Sequence, residues 1–209
     1  MKNDWEEVVK IYERDRRAYN VKITRSGHTA LHLAVSDVKR DIVEKLVELI
    51  KREDPAEAKQ VLELRNDKGH TPLHLAAATG DLRICQCIAA IDKSLALARD
   101  SGGETPIFRA VHYGRKKAFI YLHSVLQDAA ADDEERYSCC KRYDRDQIIL
   151  HDAIIRENFD LAIIIIQLYK ELVNYVDKEG DSPLHALARK PAAFESGSHH
   201  QGLDRIVYN

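Results

Sequence analysis

Four histidines, His32, His74, His151 and His185, each follow a leucine, and imidazoles can ligate a metal or carry a proton. Either chemistry needs partners within a few ångström. These histidines recur with the repeat described below, so each falls in its own layer. By analogy with stacked layers, neighbours stand roughly 10 Å apart, too far to share one ion. They are therefore expected to be structural hydrogen-bonding residues, and His199-His200 near the end a surface pair. Cys85 and Cys87 lie two apart in a helical pattern and point to different faces, while the adjacent Cys139 and Cys140 cannot comfortably bridge each other. This is neither a disulfide framework nor a zinc spacing, and it reads as four reduced thiols in the cytoplasm. The run Asp132-Asp133-Glu134-Glu135 has no pocket around it for acid/base work and reads as a solvated loop. With no nucleophile–base arrangement, phosphate loop or metal-ligand cluster, the expectation is a protein that is not an enzyme and needs no cofactor.

The elements that carry these residues are legible from self-similarity. One phrase occurs five times: Gly27-His28-Thr29-Ala30-Leu31-His32-Leu33-Ala34, Gly69-His70-Thr71-Pro72-Leu73-His74-Leu75-Ala76, Gly103-Glu104-Thr105-Pro106-Ile107-Phe108-Arg109-Ala110, Asp146-Gln147-Ile148-Ile149-Leu150-His151-Asp152-Ala153 and Gly180-Asp181-Ser182-Pro183-Leu184-His185-Ala186-Leu187. Its chemistry describes a turn followed by a helix. Asn66-Asp67-Lys68-Gly69 and Asp177-Lys178-Glu179-Gly180 are turns. Thr29, Thr71, Thr105 and Ser182 stand where a helix cap belongs, and Pro72, Pro106 and Pro183 take the first helical position. Gly80 and Gly114 end the short first helix. A longer second helix follows over 41–52, 81–91, 115–126 and 159–171, with apolar residues at helical spacing. Val38 and Glu157 replace the terminating glycine in repeats one and four, which predicts turns built differently there.

The threonine-equivalent positions 29, 71, 105, 148 and 182 are separated by steps of 42, 34, 43 and 34. Every second repeat therefore carries extra residues, around 53–61, with Pro55 as a breaker, and around 127–140. A lone helix over 4–14, capped by Asn3 or Asp4, closes the first layer through Trp5, Val8, Val9 and Tyr12. The expected organisation is one domain over 1–209: a capping half-repeat at 1–24, repeats at 25–65, 66–99, 100–142 and 143–176, and a degenerate repeat and tail at 177–209. The fold class is all-α, with about ten helices in stacked antiparallel pairs. The far end is less well closed, because Pro191 stops the last helix while Ile163–Ile166 is continuously apolar. Further residues, a second copy, or the tail residues Phe194, Leu203, Ile206 and Val207 would have to cover that end, so self-association through it is an expectation.

The 209 residues are 44% hydrophobic and 32% charged, enough for a core with much surface around it. The 32 basic and 34 acidic residues are closely mixed, giving a net charge of −2. That balance gives no electrostatic case for nucleic acid, which would need a basic face, nor for an anionic membrane surface. The start, Met1 to Val9, is charged rather than a signal peptide, and Leu161–Ile166 is far too short to span a bilayer, so no direct membrane insertion is expected.

The five phrases resemble the ankyrin-repeat signature, T-P-L-H-x-A in a unit of 33 residues, over essentially the whole chain. The opening DWEEVVKIYERD, the segment TALHLAVSDVKRDIVEKLVELI and the ending GDSPLHALARKPAAFESGS are similar to the plant ankyrin proteins with a C-terminal membrane domain, the PGG-domain family related to accelerated-cell-death proteins. The resemblance implies a cytoplasmic, non-enzymatic protein-binding module in plant stress or defence signalling. Its alternative is the regulatory domain of a longer membrane-anchored protein whose transmembrane part is not in this sequence. It also implies contact positions on the concave face, four, three and one residues before the threonine and seven and eight after it. Here these are Arg25, Ser26, His28, Ser36 and Asp37; then Asp67, Lys68, His70, Ala78 and Thr79; then Ser101, Gly102, Glu104, His112 and Tyr113; then Asp144, Arg145, Gln147, Ile155 and Arg156. Tyr113, Arg145 and Arg156 are the expected anchors for a protein partner, since aromatic and arginine side chains dominate interface energies.

Overall fold

The computed structural model describes residues 4–143 and 146–190. The chain forms an all-α solenoid of stacked layers. An inner row consists of α2 (Ala30–Ser36), α5 (Pro72–Thr79), α7 (Pro106–His112), α10 (Ile149–Ile155) and α12 (Pro183–Ala188), each packed on the next. The outer row contains α1 (Trp5–Arg14), α3 (Arg40–Lys51), α6 (Leu82–Ala89), α8 (Lys116–Ala129) and α11 (Phe159–Leu168). Asp4 caps α1, and α1 packs on α3 as the closing half-repeat.

The inner helices are short and apolar. Leu31, Leu73, Ile107 and Leu150 are buried, and small residues at Ala34, Ala76, Ala110 and Ala153 let the next layer approach. The signature residues explain how the layers lock. Thr71 Oγ1 lies 2.8 Å from His74 Nδ1, and His74 Nε2 donates to the Glu104 carbonyl of the next layer at 3.0 Å. Thr29 and His32 do the same toward the His70 carbonyl, at 2.8 and 3.0 Å. A carbonyl only accepts, so each ring carries its hydrogen on Nε2 and receives on Nδ1. In layer three Phe108 replaces the histidine, and Thr105 Oγ1 itself donates to the Cys139 carbonyl at 2.6 Å. In layer four Ile148 replaces the threonine, which leaves His151 Nδ1 buried without a hydrogen bond while Nε2 still donates to the Asp181 carbonyl at 3.1 Å.

Five expectations need correction. The extra residues of layers one and three are helices, α4 (Pro55–Leu62) and α9 (Asp133–Ser138), which brings the described residues to twelve α-helices. Pro55 does not break a helix; it starts one, at the first helical position after the Asp54 cap, and Ala58, Val61 and Leu62 are buried. The acidic run is solvated but helical: Asp132 caps α9, and Asp133, Glu134 and Glu135 form its first turn, where the helix dipole favours carboxylates. In the corresponding place the capping unit and layers two and four have only a 3-10 turn, at Arg16–Asn20, Lys93–Leu97 and Lys170–Asn174. The second helix of layer four accordingly ends at Leu168 and does not reach Glu171.

The last correction concerns Val38 and Glu157. Their turns are built like the glycine turns: φ is 54° and 61°, against 79° at Gly80 and 65° at Gly114. The closing bonds also match, Lys39 N to Ala34 O and Asn158 N to Ala153 O beside Arg115 N to Ala110 O. A β-branched residue in the left-handed region is strained by about 1–3 kcal/mol. Val38→Gly is therefore expected to stabilise the protein by about 1 kcal/mol, net of glycine's entropy in the unfolded chain. Urea denaturation checks this, and an unchanged or lower midpoint would show that the turn is not strained.

The four thiols are free. Burial pushes the Cys85 thiol up to about 12 and the Cys139 thiol up to about 11, so neither is a thiolate near neutral pH. Among the described residues no helix is long and apolar enough to cross a membrane.

Candidate functional site

The concave surface is built from the turns between layers, the fingers, and the exposed flank of the inner row. Each finger is shaped by its own side chain. The Asn66 Oδ1 accepts the amides of Lys68 and His70, and the Asp100 Oδ1 those of Gly102 and Glu104, all at 2.9–3.0 Å. Fingers are tied tip to tip by Asp67 N to Ser26 O and Ser101 N to Lys68 O, both 3.1 Å.

The positions just before the threonine turn inward. His28 stacks on His32, and His70 on His74, with ring centroids 5.7 and 6.0 Å apart. Asn66, whose oxygen is already engaged, donates Nδ2 to His28 Nε2 at 2.7 Å. The buried His70 reaches Asp100 at 3.2 Å. Glu104 is buried between two guanidinium groups, 3.1 Å from Arg109 and 3.4 Å from Arg142. His70 and Glu104 therefore hold the fingers in place rather than face outward. Arg25, Ser26, Asp67, Lys68 and Ser101 are exposed on the fingers, and Ser36, Asp37, Tyr113, Ile155 and Arg156 at the far ends of the inner helices. Asp144 and Arg145 lie outside the described residues.

The structure brings the expected positions together in two places. A groove of about 510 Å³ across layers one to three includes Ser26, His28, Ser36, Lys68, His70, Ala78, Thr79 and Tyr113. A smaller hollow of about 250 Å³ in layers four and five contains Gln147 and Ile155 with Asp177, Glu179 and Asp181. Between them lies a cluster around Asp152. His112 donates Nδ1–H to Asp152 Oδ1 at 3.2 Å, and its Nε2 accepts from Arg156 Nη2 at 2.8 Å. Arg156 also reaches Asp152 Oδ2 at 3.1 Å, so this expected anchor is held in place before any partner arrives.

Three residues of this candidate surface lie outside the positional rule: Arg109, Arg115 and Asp152. Arg109 lies 5.0 Å under the Tyr113 ring and donates to the Tyr113 hydroxyl at 3.3 Å, so it orients the aromatic anchor. Arg115 lies across Gly80 and donates Nε–H to the Ala78 carbonyl at 2.9 Å. The signal for Arg109 was available, since layers one and two have Leu33 and Leu75 at that position.

Comparison with known proteins agrees with this architecture. Residues 48–133 match a model described as ankyrin repeats, three copies. The chain is 32% identical over 117 residues to the probable 26S proteasome regulatory subunit p28 of Saccharomyces cerevisiae, a match covering 56% of this chain and 47% of that protein. The chain thus spans about half the length of this relative. The crystal structure of the ankyrin repeat domain of Bcl-3, a member of the IkappaB protein family, superposes with a TM-score of 0.62 at 24% identity, covering 79% of this chain and 68% of that one.

Proposed function

We propose that this all-α stack of ankyrin-type layers is a non-enzymatic module that grips a partner protein on its concave face. Ankyrin repeats typically mediate protein–protein interaction. The observation that carries this reading is the pre-arranged pair of anchors, Tyr113 held by Arg109 and Arg156 held by Asp152 and His112. Immobilised aromatic and arginine side chains lose little entropy on binding, which is what interface hot spots need. The setting we propose is the cytoplasm of a plant cell, in stress or defence signalling, either free or as the regulatory region of a longer membrane-anchored protein.

Affinity purification from plant tissue, followed by mass spectrometry, identifies the partner. Replacing Tyr113, Arg145 and Arg156 together with alanine is expected to weaken its binding at least tenfold while the melting temperature stays the same. Unchanged affinity would reject the concave face. The yeast relative supplies one named candidate to include, the 26S proteasome.

A second surface supports self-association. Leu184 is 71% exposed, whereas its counterparts Leu31, Leu73, Ile107 and Leu150 are at most 1% exposed. Ile163, Ile166, Leu168, Val173 and Val176 are exposed at the same end of the stack. The tail residues Phe194, Leu203, Ile206 and Val207 lie outside the described residues. We expect sedimentation to show a concentration-dependent dimer that Leu184→Glu abolishes; a strict monomer at high concentration would remove this surface from the account.

A further inference from the structure

We propose that the groove across layers one to three receives an extended acidic segment of the partner, with carboxylates three or four residues apart and an apolar side chain between them. This rests on the reading of the concave face as a protein-binding surface and adds the chemistry of what it binds.

The charge of the groove carries the inference. The chain as a whole is slightly acidic, with a net charge of −2, yet the residues lining this groove include Lys68, Arg109 and Arg115 and no carboxylate. Three of the nearby carboxylates are engaged within the protein, Asp67 with Lys22 at 3.9 Å among them. Asp100 is engaged with His70, and Glu104 with the guanidinium groups of Arg109 and Arg142. Among the described residues the Lys68 ammonium has no ion-pair partner. Arg115 uses only Nε, on the Ala78 carbonyl, so the two Nη groups of its guanidinium remain for a ligand. A groove of one sign with low-dielectric walls selects the opposite charge.

The spacing of the cations sets the shape of the ligand. Lys68 precedes the start of α5, and Arg115 lies over its end at Ala78 and Gly80. The eight-residue helix between them is itself about 12 Å long, more than one anionic group can bridge. An extended chain covers that length in three to four residues, which sets the shortest interval between carboxylates. Between the two cations the groove offers Leu75, Ala78 and the half-exposed Tyr113 ring, an apolar floor for one side chain.

The test uses the full chain and a fluorescein-labelled peptide, GSDEFADEGS, beside its amide counterpart GSNQFANQGS, read by fluorescence anisotropy. The acidic peptide is expected to bind at least tenfold more tightly than the amide, and more weakly as salt rises. Lys68→Glu with Arg115→Glu is expected to reduce that binding at least tenfold, and Lys68→Glu alone, at an exposed side chain with no ion-pair partner, at least threefold. Lys45→Glu with Lys51→Glu makes the same change in net charge on the outer helix α3 and is expected to alter affinity less than twofold. Circular dichroism melts confirm that each variant is folded. Equal binding of the two peptides, binding of neither, or equal loss in the groove and outer-face variants would overturn the inference. A captured partner that lost affinity in the Tyr113, Arg145 and Arg156 variant, but whose contact segment was neutral or basic, would also overturn it and leave the protein-binding reading standing.

Discussion

Lowering the pH from 7 to 5 is expected to cost the folded state about 4 kcal/mol, about 2 kcal/mol through each of His32 and His74. Both rings are fully buried, and burial is the main reason they resist protonation: it pulls the His32 value down to about 4, and His74 is held well below the ordinary range as well. The hydrogen bonds give the same direction a structural basis. Nδ1 of each ring accepts from the threonine hydroxyl and amide, at 2.8 and 3.3 Å for His32, so a proton there would face a donor. In the unfolded chain the same histidines titrate near 6.5. Below that pH the unfolded state takes up protons that the folded state refuses, so stability is complete above pH 6.5 and lost on acidification, until His32 protonates in both states near pH 4. Against a typical total of about 5–15 kcal/mol this is a large share. Urea denaturation at pH 7, 6 and 5 reads the loss, and nuclear magnetic resonance titration assigns it. An unfolding free energy that stayed flat over this interval, or a His32 ring titrating near 6.5 in the folded protein, would contradict the interlayer bonding described above.

The layers were legible because the phrase that writes them is local chemistry. A threonine cap, a proline at the first helical position and a histidine bonded back to that threonine all depend on neighbours within a few residues. Even where the phrase decays, as at Ile148, the leucine, histidine and alanine keep the layer, and the cost appears as one unpartnered ring nitrogen. What could not be read was set by tertiary context. Pro55 has the same local meaning whether it stops one helix or starts another, and only the burial of Ala58, Val61 and Leu62 against the stack decides between them. Val38 and Glu157 looked like a different turn because neither favours positive φ, but the layer spacing holds both in the left-handed region. The concave positions were only partly readable. The spacing rule placed Lys68 and Tyr113 on the surface, but it could not show that His70 and Glu104 would be consumed in bracing the fingers, since their partners Asp100 and Arg142 sit 30 and 38 residues further along the chain. Arg115 escaped because its role comes from lying against Gly80 in the layer before it, whereas Arg109, standing where layers one and two have leucine, could have been read.

Two glycines that look equivalent in the sequence are expected to respond very differently to the same change. Gly69 and Gly180 both occupy the finger turn, with φ of 77° and 84°, so a side chain at either strains the backbone by about 1 kcal/mol or more. Only Gly69 has a neighbouring finger against it. A Cβ there would stand 2.4 Å from the Ser101 amide nitrogen and 2.7 Å from its hydroxyl, whereas among the described residues nothing lies within 4 Å of one at Gly180. The obstacle at Gly69 is mainly backbone, held by the bond from Ser101 N to the Lys68 carbonyl, and it can give way only by separating the two fingers. Gly69→Ala is therefore expected to cost at least about 3 kcal/mol, strain and overpacking together, and Gly180→Ala only about 1 kcal/mol. Chemical denaturation of the two variants side by side tests this, and equal losses would mean that the close approach of the fingers contributes nothing. The same substitution bears on binding, because Lys68 precedes Gly69 and lines the groove. Separating fingers two and three moves that ammonium away from Arg115, so any Gly69→Ala protein that still folds is expected to bind the acidic peptide more weakly, while Gly180→Ala binds it as the unaltered chain does.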